Sequence, residues 1–116
     1  MSMKMTSEER ISELEKKLEH VLRLVDMDRA PFSYLVLECY LASDQEDKIY
    51  QLMDDFTNYV RAGHKINHHD FEDELYKIVP SKNGDYHFAE DVVGALNDEW
   101  RYTIVCEALR ESGMNV

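Results

Sequence analysis

Positive charge is scarce in this chain: 13 Lys and Arg stand against 24 Asp and Glu, for a formal net charge of −11. Phosphate backbones and anionic membrane surfaces are bound through clustered Lys and Arg. The longest basic cluster, Lys16-Lys17, has glutamates on both sides, so nucleic acid is not an expected partner. Long hydrophobic runs are missing as well. The longest uncharged apolar stretch is too short to cross a bilayer, and the N-terminal residues have no apolar core of a signal peptide. The expectation is a cytoplasmic protein with no membrane contact. Only two cysteines occur, Cys39 and Cys106. Both lie in apolar helical patterns without Cys-x-x-Cys or His spacing, which predicts buried thiols rather than a disulfide or a zinc site. The four glycines, at 63, 84, 94 and 113, are too scattered for a phosphate-binding loop, and there is no Gly-x-Ser-x-Gly elbow. Nothing alternates like a strand for long enough to be one.

What is present is helical pattern. With 116 residues, 44% hydrophobic and 32% charged, the chain suits one globular domain, residues 1–116, with one modest core. The first helix is expected over 7–26, with Thr6 or Ser7 as cap and Glu9 completing a capping box from Thr6. Ile11, Leu14, Leu18, Val21 and Val25 recur at spacings of 3 and 4, a heptad with Ile11, Leu18 and Val25 at a and Leu14 and Val21 at d. Leu22 and Leu24 widen the face at e and g. In a parallel assembly Arg10 at g would meet Glu15 at e of a neighbour. The same face could instead pack within its own monomer.

Pro31 is tolerated in the first turn of a helix and sets Ala30 outside helical angles, so the first helix is expected to end near Met27 and a new one to begin near Pro31, with Asp28 as a cap at the turn between them. Pro31 to Leu41 carries one charge, Glu38, and a helix apolar on every side must be covered on every side. It is therefore expected at the centre, wrapped by the others. Ser43-Asp44-Gln45-Glu46 reads as a capping box opening a third helix, which carries Ile49, Leu52, Met53, Phe56 and Val60 and stops at Gly63. His64 to Asp70 reads as a polar connection. Phe71, Leu75 and Ile78 mark a fourth helix that Pro80 ends. Asp85 caps a fifth with Phe88, Ala89, Val92, Val93 and Leu96, where Gly94 would let another backbone approach. Asn97 or Asp98 caps a last helix with Trp100, Ile104, Val105, Ala108 and Leu109 on its apolar side. The fold expected is an all-α bundle of five to six helices with an N-terminal heptad helix, assembled as an intertwined oligomer.

With the heptad helix, the Val25-Asp26-Met27-Asp28-Arg29-Ala30-Pro31-Phe32 junction and the apolar helix behind it, the chain resembles the YhaI-like family of small cytosolic bacterial proteins. That resemblance implies an all-helical subunit of about five helices and an intertwined trimer. It implies no activity, cofactor or catalytic residue. The stretch His64 to Asp70 lies outside the family pattern.

Chemistry, if present, is expected at the histidines. His64, His68 and His69, with Asp70 and with Glu72, Asp73, Glu74 and His87 nearby, are candidate metal ligands. His64 and His68 are four apart, the spacing that puts two imidazoles on one helical face. His69-Asp70 has the adjacent His-Asp form of metal phosphohydrolases, which also need ligands from other helices. The bland reading is a solvated, acid-flanked loop. The leading functional expectation is a homo-oligomer, trimer before dimer, joined through Ile11, Leu14, Leu18, Val21 and Val25 and acting as a scaffold, adaptor or regulator of another protein, with no cofactor. A metal-dependent enzyme or metal-binding protein using His64 to Asp70 is the alternative. An acidic mimic of nucleic acid that occupies a basic protein's groove is a third reading.

Overall fold

Local signals at the helix ends account for most of the boundaries in the computed structural model, which describes residues 5–25 and 29–116. Among these residues the chain forms six α-helices and no strand. The Thr6 side chain accepts the Glu9 N–H at 3.1 Å and starts α1 (Ser7–Leu24), meeting one of the donors that a helix N-terminus leaves unpaired. The turn expected at Asp26, Met27 and Asp28 lies outside the described residues. Pro31 opens α2 (Pro31–Glu38), where its fixed φ and missing N–H do no harm.

The box at the start of α3 (Ser43–Arg61) sits one residue earlier than the sequence suggests. Ala42 is the cap, and Gln45 Oε1 accepts the Ala42 N–H at 2.9 Å. Only this returning half forms, because Ala42 has no side-chain oxygen. The C-terminus of α3 closes with the Gly63 N–H on the Val60 carbonyl and the His64 N–H on the Tyr59 carbonyl. Gly63 takes φ +89° there, a conformation that favours glycine.

The fourth helix starts at His68 rather than Phe71: α4 spans His68–Ile78, because the Asn67 side chain caps it by accepting the His69 N–H at 2.8 Å. A 3-10 turn at Pro80–Lys82 follows. Asp85 then accepts the His87 N–H at 3.1 Å and starts α5 (Tyr86–Asp98). Asn97 and Asp98, expected to cap the last helix, are instead the end of α5. The last helix, α6, spans Thr103–Ser112.

Trp100 is likewise in the connection and not on an apolar face. Glu99 is held by the Phe32 N–H at 2.8 Å, and the Arg101 guanidinium lies over the Tyr50 ring at 4.8 Å. With both neighbours anchored, Trp100 takes φ 59° and points to water, 87% exposed.

Helix α5, not α2, holds the centre. Phe88, Ala89, Val92, Val93 and Leu96 are all buried. α2 and α6 pack on α5, while α3 packs on α4 and α6. The expectation that Pro31 to Leu41 would be wrapped is not met within the chain: α2 buries Phe32, while Leu37 and Tyr40 are exposed. α2 packs on α5 along one side and leaves the other to solvent. Gly94 admits no neighbouring backbone either, since a Cβ there would meet nothing within 4 Å.

Of α1, no residue is buried, and none of the principal helix packings involves it. The radius of gyration is 17.2 Å, against about 13 Å for a compact domain of this size. The accessible surface is 8400 Å², about 1,800 Å² beyond the roughly 6,600 Å² expected of a compact chain of this mass.

The two ends of the molecule should therefore respond differently to truncation. Leu96→Ala is expected to cost about 2–5 kcal/mol. Leu14→Ala, at a position 63% exposed, is expected to change the dilute protein by no more than about 0.5 kcal/mol. Urea unfolding at low protein concentration measures both.

Candidate functional site

Two features of the molecule stand apart from the apolar core of the α2 to α6 body. The first is the seam of α1. The heptad predicts that Ile11, Leu14, Leu18, Val21 and Val25 share one stripe; the helix expected over 7–26 ends at Leu24, so the first four lie on it while Val25 follows as its extended C-cap, and all five are exposed, at 40% to 63%. Leu24 at the adjoining g position is 87% exposed. A stripe of this kind costs roughly 25 cal/mol for each Å² left in water.

The second is at the first turn of α4. Helical spacing sets Glu72 four residues after His68 and three after His69, so the carboxylate reaches back to both rings. His68 Nδ1 is 3.3 Å from Glu72 Oε1, and His69 Nδ1 is 3.5 Å from Oε2. The two imidazoles lie 4.0 Å apart between centroids. Glu72 is the one charged residue buried among those described, whereas the His69 side chain is largely exposed. The His68 N–H donates to Ser112 Oγ at 2.8 Å, joining this turn to the end of α6. On the same side, the edge of the His68 ring lies against Gly113, where a Cβ would come within 3.4 Å of Nε2. His68 is thus fixed from behind, and its Nδ1 is left for the carboxylate.

The sequence-derived ligand set is regrouped by this geometry. His68 and His69 come together, and Glu72, named only as a neighbour, completes a group of three whose potential ligand atoms lie within 4.8 Å of one another. His64 is outside that group: it follows the end of α3, with its ring 5.1 Å from the Tyr59 ring. Its four-residue spacing from His68 counts for nothing, because residues 64–67 are not helical. Asp70 is also outside, facing a shallow acidic depression with Asp73, Glu74 and Lys77. His87 pairs with Glu90 at 3.7 Å on α5. The signal that could have found Glu72 is the His-His-x-x-Glu spacing, legible only if α4 starts at His68.

The thiols offer no nucleophile. Cys106 is buried and Cys39 half-buried, and both are free. Burial pushes both thiols up, opposed in part by Lys82 at Cys39 and by Arg110 at Cys106. That is the reverse of an activated cysteine. No helix among the described residues is long and apolar enough to cross a membrane. In comparisons with protein-family models, curated proteins and solved structures, nothing matches the chain.

The tie between α4 and α6 can be tested at Ser112. Ser112→Ala removes the acceptor of the His68 N–H and is expected to cost about 1 kcal/mol. Hydrogen exchange should quicken at the His68 amide by more than the global loss of stability explains.

Proposed function

We propose that this chain works as a self-associating helical protein, with α1 as the assembly element, and that the assembly acts by binding another protein as a scaffold, adaptor or regulator. The observation that carries the reading is a heptad whose a and d residues are all in water. Isolated apolar residues on a surface are ordinary, but a periodic apolar stripe along one helix is what a partner helix covers.

A second copy of the chain is the occupant that fits. Arg10 at g and Glu15 at e supply the complementary charges of a parallel pairing, and both are exposed. The surface excess of about 1,800 Å² for each subunit, or about 3,600 Å² for a pair, is in the range of obligate interfaces, roughly 2,000–5,000 Å² in total. Leu37 on the uncovered side of α2 and Tyr40 in the turn that follows add apolar area beyond the short seam. A seam of about two heptads is marginal alone, so packing of α1 against the neighbour's α2 supports an intertwined arrangement. The resemblance to the YhaI-like family implies the same, with three subunits, and Leu22 and Leu24 flanking the seam favour three helices over two.

Native mass spectrometry and sedimentation of the untagged protein test this, with a trimer expected. Leu14→Asp with Leu18→Asp should give a monomer with its helical content kept, since neither side chain contributes to the α2 to α6 body. Arg10→Glu should weaken assembly, and adding Glu15→Arg should restore it. A wild-type chain that stays monomeric at high concentration would falsify the reading.

A further inference from the structure

We propose that His68, His69 and Glu72 form a binding site for one divalent transition-metal ion of the zinc class, held within a single subunit. The first ground is distance. A tetrahedral ion with metal–ligand bonds of about 2.0–2.2 Å has ligand atoms about 3.4 Å apart. His68 Nδ1 stands 3.3 Å from Glu72 Oε1 and His69 Nδ1 stands 3.5 Å from Oε2, and one ligand atom from each of the three residues lies within 4.8 Å of the other two, a spread that a small adjustment of the exposed His69 ring closes onto one ion. Two imidazoles and one carboxylate, with a fourth position left to water, are a donor set suited to zinc, cobalt or nickel; magnesium and calcium demand mostly oxygen.

The second ground is the carboxylate itself. Buried ionised groups are paired or coordinate metals, and Glu72 is 9% exposed. Its charge partners are two imidazoles, neither of them a permanent cation. A divalent ion between the three groups would be a direct partner for that carboxylate. Being at a helix N-terminus works against a cation, but by the equivalent of only about half a positive charge. Glu72 offsets this directly, and Asp70, Asp73 and Glu74 add negative charge on the same two turns.

The third ground is support from behind. Asn67 caps the turn, Ser112 holds the His68 backbone, and Gly113 packs against the His68 ring. Ligands fixed in this way lose little freedom on binding. His69, on the open side, gives the ion its entrance.

The test uses untagged full-length protein, stripped by chelator and titrated with Co²⁺ and then Zn²⁺. One equivalent per chain is expected, with the visible absorption of low-coordinate Co²⁺ displaced by Zn²⁺. His69→Ala removes an exposed side chain and leaves the fold intact by circular dichroism. It should weaken binding at least about 10-fold, as should the isosteric Glu72→Gln. His87→Ala should change nothing. Assembly and metal binding separate in the Leu14→Asp, Leu18→Asp variant, which should keep its full equivalent. Sub-stoichiometric binding, equal binding by wild type and His69→Ala, or loss of the ion in the α1 variant overturns the proposal.

Discussion

The apolar face of α5 is the constraint on which the rest of the structure depends. Phe88, Ala89, Val92, Val93 and Leu96 must leave water together, because they share one side of one helix. α2 and α6 do most of the covering, and α3 joins α6 to α4 behind them. The anchoring of Glu99 by the Phe32 N–H and of Arg101 by Tyr50 follows from that packing. So does the position of α4, whose first turn is tied to the end of α6 through Ser112.

The same constraint explains what is left over. The core built around α5 closes without α1, so the heptad stays in water, and α2 is covered on one side only. A contiguous exposed apolar patch is uncommon on a monomer and marks an interaction site. The reading as an assembling protein rests on that imbalance. The histidine cluster is a separate matter, for it comes from the first turn of α4 and the way α6 braces it.

Much of the fold was legible in the residues. Thr6, Pro31, Gly63 and Asp85 act at the ends where their chemistry predicts, because capping is settled by a few neighbouring atoms. Less was legible where two local signals compete. Ser43 looked like a cap and is the first helical residue, with Gln45 reaching back to Ala42. Asn97 and Asp98 looked like a helix start, but α5 runs through them until Glu99 and Arg101 are caught by α2 and α3. The candidate site suffered similarly. His68 and His69 were visible as histidines, but their partnership with Glu72 depends on where α4 begins, and Asn67 decides that.

What the sequence determined by itself was the class of structure: amphipathic helices, their approximate bounds, and a heptad that sorts five residues onto one stripe. Periodicity is a local property and survives without knowledge of any neighbour. Tertiary structure decided which helix is central, which apolar faces stay in water, and which side chains meet at the first turn of α4. These depend on packing between residues far apart in the chain, where α5 buries six residues and α2 buries Phe32.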